Sequence, residues 1–271
     1  EIQKVQHAFG TNGIMVELGL ALTPRTDWIH TAALFDGYDH ALNFATQAQK
    51  DGMDCYLLTA VERRFAPYYT KFGDLFPADR DAIFAMVAPD EMDRFTAQAE
   101  AQGGRVSFAM TKDQIRAEGL QPAYECGWNH TTLQALKVDP GWTYLQVAYP
   151  RPFDVDLVMR QMARHGDDMF WHHEMARQDG DIQIFALPLV RYRGKDEMYR
   201  LIAELEETDG CTIFDPHVVT IEDGGMKEID TTQIDFKKRA DPYGLMNPGK
   251  TRGWTDDMVR RDDQHQHGET A

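Results

Sequence analysis

The stretch Ile29-His30-Thr31-Ala32-Ala33-Leu34-Phe35, followed by Asp36-Gly37 and then Tyr38 to Asp51, decides how the chain is read. The first seven residues have the make-up of a half-buried strand. After them Tyr38, Ala41, Leu42, Ala45 and Ala48 recur at i, i+3, i+4, i+7 and i+10, which is one face of an α-helix from about Gly37 to Asp51. Asp36 stands where a helix cap is needed and Gly52 where a stop is needed. Cys55–Val61 then returns as a second strand.

This strand–helix–strand cassette recurs along the chain. Ala82–Ala88, a helix over Asp90–Gln102 with Met92, Phe95 and Ala99 on one face, and Arg105–Met110 form the second. Thr143–Tyr149, a helix over Asp154–His165 with the stripe Val155, Val158, Met159 and Met162, and Met169–Met175 form the third. Ile182–Val190, a helix over Lys195–Thr208 with Met198, Leu201, Ile202 and Leu205, and Cys211–Phe214 form the fourth. Two successive cassettes make β-α-β-β-α-β, the ferredoxin-like pattern. The expected fold is therefore α+β: tandem ferredoxin-like units with an antiparallel sheet covered by helices on one face.

The segment Thr111–Pro140, richer in Gly, Pro and Trp, separates the halves and holds a helix at Thr131–Lys137, entered through Asn129 as its cap. Beyond Asp215 the sequence predicts a short strand Val218–Glu222, a turn at Asp223-Gly224-Gly225 and a helix from Thr232 to Ala240. The tail Asp256–Ala271 is charged and nearly free of apolar residues, so it is expected to be mobile unless a neighbour pins it.

Composition narrows the function. The 271 residues carry 28 Lys and Arg against 44 Asp and Glu, a net charge of −16, which argues against an extended nucleic-acid-binding face. With 42% hydrophobic and 27% charged residues the chain can bury a real core, so intrinsic disorder is excluded as its main state. No apolar run approaches the roughly 20 residues of a membrane span, and no signal peptide is legible. Three dispersed cysteines, Cys55, Cys126 and Cys211, fit neither a zinc site nor a disulfide scaffold and read as reduced thiols of a cytoplasmic protein. The chain opens Glu1-Ile2-Gln3-Lys4 without Met, which suggests a part of something longer.

Two motifs stand at the ends. Gly10-Thr11-Asn12-Gly13-Ile14-Met15-Val16-Glu17 precedes an apolar run and Pro24; its paired glycines allow a tight turn and close backbone approach to a ligand. Asp241-Pro242-Tyr243-Gly244-Leu245-Met246-Asn247-Pro248-Gly249-Lys250 is a helix stop followed by stiff Pro/Gly turns that project Asn247 and Lys250. Each alone reads equally as a turn. Together, in this order and with cassettes between them, they resemble the FAD-linked oxidases of the vanillyl-alcohol-oxidase superfamily, the PCMH-type flavoproteins. There a Gly-Thr-x-Gly-Ile segment closes the flavin domain, a cap of ferredoxin-like units follows, and the chain returns through Asp-Pro-x-Gly with Asn-Pro-Gly-Lys. Phe214-Asp215-Pro216-His217 and Trp128-Asn129-His130-Thr131-Thr132-Leu133 add to the likeness.

The resemblance implies four parts: residues 1–28 as a residual C-terminal ribbon of an FAD-binding domain, 29–222 as a substrate-binding cap, 223–255 as a segment returning to the FAD domain, and 256–271 as a mobile acidic tail. It implies oxidation of a small alcohol, hydroxy acid or phenol by hydride transfer to FAD, with the N-terminal FAD-binding domain absent from this chain. Gly10, Thr11, Gly13, Ile14, Asn247 and Lys250 would then touch the flavin. A partner nucleic acid or membrane is not expected, a small-molecule substrate is, and a homodimer stays open. The alternative from another class is a non-catalytic tandem ferredoxin-like module for small-molecule binding or assembly.

Three residues are candidates for chemistry. His130 opens a helix in an aromatic, amide-rich stretch, where a helix N-terminus favours the neutral imidazole of a base; it also reads as a local cap. His172 and Glu174 share one face of a strand and His173 the other, so His172 could face a substrate pocket, and the pair alone is a poor metal site. Arg191 and Arg193 share a face at a strand end, to clamp an anion or simply to solvate it; Arg151 is similarly ambiguous. His217 reads as fixing the chain's return path, and His265 and His267 as solvated.

Overall fold

The computed structural model describes residues 2–215, 218–224 and 231–261; His217, Gly225, His265 and His267 lie outside the described residues. The chain forms two compact units, Pro24–Ile213 and the pair of segments Glu1–Thr23 and Phe214–Ala271.

In the larger unit, β1 (Ile29–Phe35), α1 (Tyr38–Lys50), β2 (Cys55–Val61), β3 (Asp81–Val87), α2 (Met92–Ala101) and β4 (Arg105–Met110) make the first half. The helices α3 (Lys112–Ala117) and α4 (Trp128–Val138) bridge to the second. There follow β5 (Trp142–Tyr144), β6 (Gln146–Ala148), α5 (Val155–His165), β7 (Met169–Phe170), β8 (His172–Gln178), β9 (Asp181–Ala186), β10 (Leu189–Arg191), α6 (Lys195–Glu207) and β11 (Thr212–Phe214). Eight strands form one sheet in the order β11-β6-β9-β8-β2-β3-β1-β4, and β5-β10-β7 form a second of three. Neighbours from β4 across to β6 pair antiparallel. The chain is thus a mixed α+β protein. The halves join where Thr59 faces Glu174, Ala60 faces His173 and Val61 faces His172.

Side chains alternate across this sheet. Ala33, Phe35, Leu58, Ala60, Ile83, Ala85, Trp171 and His173 point to one face. There Phe44 of α1, Phe95 of α2, Val158 of α5 and Leu205 of α6 complete the core with the apolar members of that row. The opposite face is not bare, as one-sided covering requires. Ala32, Leu34, Val61 and Phe84 pack there against Phe65, Tyr69, Phe72 and Phe76 of the 3-10 segment between β2 and β3, and against Ile115 and Ala135 of α3 and α4. Aromatic stacking of Phe84 on Tyr69 (5.7 Å) and of Phe72 on Phe108 (5.8 Å) fills this second layer.

Several expected boundaries move for identifiable reasons. The run Ile182–Val190 is two strands, because Pro188 has no N–H for a ladder bond and the chain turns into the small sheet at Leu189. Met169–Met175 breaks at Trp171, whose amide goes to Glu62 Oε2 (3.0 Å) and whose carbonyl takes the Glu62 amide (3.1 Å). Thr143–Tyr149 divides likewise into β5 and β6. The cap of α1 is Gly37, with no side-chain bond, rather than Asp36, and that of α4 is Gly127 rather than Asn129. Asp154, expected as the first residue of α5, is instead its cap, accepting the Asp156 amide at 2.9 Å.

In the smaller unit, Ile221–Asp223 is a 3-10 turn, not the end of a strand from Val218. Glu222 Oε1 accepts from Thr251 Oγ1 (2.6 Å) and from the amides of Arg252 (2.9 Å) and Gly253 (3.2 Å), and those bonds hold the compact turn. The helix α7 (Thr231–Ala240) follows. Asp256–Met258 forms another 3-10 turn, and the Arg260 amide reaches the Pro242 carbonyl at 2.7 Å, so the tail is held as far as this point.

Candidate functional site

The face of the large sheet away from the four long helices carries one concentrated polar cluster. β2 and β8 place Thr59 opposite Glu174. Glu174 Oε1 meets Thr59 Oγ1 at 2.9 Å, the Trp128 amide at 2.5 Å and His172 Nδ1 at 3.2 Å. His172 and Glu174 are both fully buried, and His172 Nε2 and Glu174 Oε2 have no hydrogen-bond partner among the described residues. One carboxyl oxygen therefore ties the N-terminus of α4 to the junction of the two halves.

The local sequence permits this closeness. A Cβ on Gly127 would stand 3.2 Å from Leu57 Cδ1 and 3.3 Å from Glu174 Oε2, tighter than a side chain tolerates without displacement. Trp128 adopts φ 50°, unusual for a bulky residue and costing about 1–2 kcal/mol. Its ring lies 6.0 Å from Phe185 and lines, with Leu57, Glu174 and Arg177, a cavity of about 510 Å³.

The three candidate residues occupy different surroundings. His130, in the first turn of α4, is half exposed and pairs through Nδ1 with Glu125 Oε2 at 3.0 Å. His172 is sealed under Phe65, 5.7 Å away edge-on. Arg191 belongs to the three-stranded sheet: it lies 3.7 Å over the Trp142 ring and bonds Asp139 Oδ2 at 2.8 Å. That bond, with the Gly141 amide, holds the Asp139 carboxyl below its ordinary range. Arg193 pairs with Asp168 at 2.5 Å. The cluster thus unites His172 with the α4 N-terminus, while the Arg191 guanidinium is engaged by Asp139 and Trp142. Among the described residues no group of three or more His, Cys, Asp or Glu could hold a metal ion.

Burial governs the remaining titratable groups. His173, on the helix-covered face, stands 2.8 Å from the Tyr38 hydroxyl; burial, with a smaller contribution from His172, pushes its pKa well down. Burial likewise lowers His30, with Lys112 adding to it, and lowers His165. Cys55, Cys126 and Cys211 are free thiols, and burial pushes Cys55 up to about 12 and Cys211 up to about 11, so neither is a ready nucleophile. The imidazoles set a pH dependence. Unfolded rings take up protons as the pH falls past about 6.5, while burial makes the folded rings take them up only at lower pH, so the unfolded state gains protons first and stability declines below that value. The denaturation midpoint is expected to be lower at about pH 5.5 than at about pH 7.5; an equal or higher midpoint at the lower pH would contradict it.

In the smaller unit the two end motifs meet. Gly10 (φ 71°) and Gly13 (φ 126°) take conformations that favour glycine and turn the chain around buried Thr11 and Asn12. Lys237 Nζ donates to the Thr11 carbonyl at 2.7 Å and to Asp241 Oδ2 at 2.6 Å. The Asn247 side-chain amide donates to the Phe9 carbonyl, and Asn12 Nδ2 donates to the Gln233 carbonyl at 3.3 Å. The Lys250 carbonyl accepts from the Ile221 amide at 2.9 Å. Ile14 and Leu245 are exposed. Lys237, which the sequence reading passed over, is the centre of this arrangement; its i, i+4 spacing to Asp241 was the available signal.

No family model matches the chain, and no curated protein matches it. The class that the fold defines is that of a mixed α+β protein built on a large antiparallel sheet. Among solved structures it is similar to alkyldihydroxyacetonephosphate synthase in one crystal form, with TM-score 0.50 and 8% identity, over 82% of this chain and 43% of that one. A second crystal form of that synthase gives TM-score 0.49 and 10% identity, over 82% and 44%. The likeness is one of fold, and the chain spans less than half the length of these structures. Among the described residues no helix is long and apolar enough to cross a membrane.

Proposed function

We propose that this chain is the substrate-binding, C-terminal portion of an FAD-dependent oxidoreductase that oxidises a small alcohol, hydroxy acid or phenol. The observation that carries the reading is the meeting of two motifs from opposite ends of the sequence: Lys237 on the Thr11 carbonyl and Asn247 on the Phe9 carbonyl. A stand-alone α+β module gives no reason for that pairing. Coverage of less than half of the synthase chain suits a portion of a longer enzyme. The order β4-β1-β3-β2 in the first half and β11-β6-β9-β8 in the second, each from strand, helix, two strands, helix, strand, supports two ferredoxin-like units.

The residues present fit one edge of a flavin rather than the whole cofactor. The backbone turns at Gly10 and Gly13 with exposed Ile14 beside them, and Asn247 and Lys250 lie on a loop stiffened by Pro248. Bound FAD would supply the hydride acceptor. The chain's own part is to bind and orient the substrate on the side of the sheet away from the four long helices, where Glu174 fixes the start of α4 and His130 stands as the proton-handling group nearest solvent.

Variants of the intact protein test this. Lys250→Ala is expected to weaken flavin retention by about tenfold or more, whereas His130→Ala should leave flavin bound and slow its reduction by substrate. Unchanged flavin affinity in Lys250→Ala, or normal reduction in His130→Ala, would count against the respective assignment.

A further inference from the structure

Where β1 begins, a cavity of about 580 Å³ opens, lined by Trp28, His30, Met86, Lys112 and Tyr124 among others. It lies wholly within Pro24–Ile213, and its volume is within the usual range for small-ligand sites. Its aromatic and apolar wall is formed by Trp28, Tyr124 and Met86, and the charged side chains Arg25, Asp27, Lys112 and Asp113 complete the lining. Trp28 is braced by Tyr56 at 5.7 Å, Tyr124 stands edge-on to His30 at 6.1 Å, and Met86 continues the surface beside Leu57 and Ala123.

The polar chemistry of this cavity is one-sided where it is most deeply set. His30 is 2% exposed, and its Nδ1 accepts the Ala123 amide at 3.1 Å. A neutral ring used as an acceptor at Nδ1 carries its hydrogen at Nε2, which is then a donor that calls for an acceptor. Lys112 adds an exposed ammonium for which, among the described residues, no carboxylate partner stands within ion-pairing distance, and its field is felt at His30. Of the two acids at the rim, Asp27 is held by Arg25 at 2.6 Å, and Asp113 opens α3 beside Lys112. A cationic guest would meet Lys112 and find no acceptor at His30. A flat apolar guest with a carboxylate would satisfy both donors while its ring covers Trp28, Tyr124 and Met86.

We propose that this cavity binds an aromatic carboxylic acid, its ring against Trp28, Tyr124 and Met86 and its carboxylate on Lys112 and His30. The site needs no flavin and does not depend on the oxidoreductase reading. The test is calorimetric titration of the 271-residue chain with 2-naphthoate and with its neutral and cationic analogues, 2-naphthalenemethanol and 2-naphthylmethylamine. The acid should bind with one site per chain and at least about tenfold tighter than the alcohol. Lys112→Ala, a surface change that spares folding, should weaken the acid by about tenfold and leave the alcohol unaffected. His30→Gln should weaken the acid too, and Lys71→Ala, at an exposed position that does not line the cavity, should not. Absence of binding by the acid, equal affinity for acid and alcohol, or an undiminished affinity in Lys112→Ala would each overturn the proposal.

Discussion

Lys237→Ala is expected to destabilise the smaller unit by about 3–5 kcal/mol, the usual cost of leaving one member of a buried ion pair alone. Lys237 is 2% exposed and Asp241 4%. Burial opposes ionisation of Asp241, but the bonds from Lys237 and from the amides of Met246 and Leu245 outweigh it and hold the carboxyl below its ordinary range. Both amide bonds are 2.9 Å. Without Lys237 the charge stays buried, and the Thr11 carbonyl loses its donor. The turn at Gly10–Gly13 should then come away from the loop at Leu245–Asn247. Hydrogen exchange would show this as lost protection at the Leu245 and Met246 amides. Removing both charges, as in Lys237→Met with Asp241→Asn, should restore part of the loss, because no unpaired charge then remains. The wild-type pair has a pH signature of its own. A depressed carboxyl contributes stability above its unfolded value, and that contribution is lost as the pH falls through the folded one. Unchanged protection in Lys237→Ala would mean that the two motifs are held by something else.

Glu174→Ala is expected to cost the larger unit roughly 3–5 kcal/mol, since it deprives Thr59, the Trp128 amide and His172 of the oxygen they share, each buried unsatisfied donor costing about 1–3 kcal/mol. Glu174→Gln keeps the size and an acceptor oxygen, so its loss should be smaller. The two variants separate hydrogen bonding from charge. A readout of α4 is informative here: fluorescence of Trp128, half exposed beside Phe185, should change in Glu174→Ala as the helix start is released. Equal stability of wild type and Glu174→Ala in denaturant would remove Glu174 from its place at the junction.

How much of this was legible in the sequence follows from the range of the interactions involved. β1, β2 and β4 have the residue bounds that alternation and flanking turns predict, and α1 and α7 lie within a residue or two of theirs. These elements are specified by their own periodicity. The divided strands are not. The sequence has no turn residue at Leu145 or Trp171, and the break at Trp171 is imposed by Glu62, more than a hundred residues away. The turn at Ile221–Asp223 likewise depends on Glu222 reaching Thr251 to Gly253. In the site, the shared face of His172 and Glu174 follows from strand alternation, and the structure extends it to Thr59 and Trp128. No local signal announced Gly127 as the cap of α4, because its role is to let Glu174 approach. His30 was missed for a similar reason: within β1 it is one inward position among several, and only the Ala123 amide and Lys112 distinguish it.

The visible absorption spectrum of the protein made from the complete reading frame, purified without added cofactor, tests the central claim most directly. The two-band absorption of oxidised flavin, stoichiometric with the chain and lost in Lys250→Ala, is the predicted result. A folded, colourless protein that takes up no FAD on titration would contradict it.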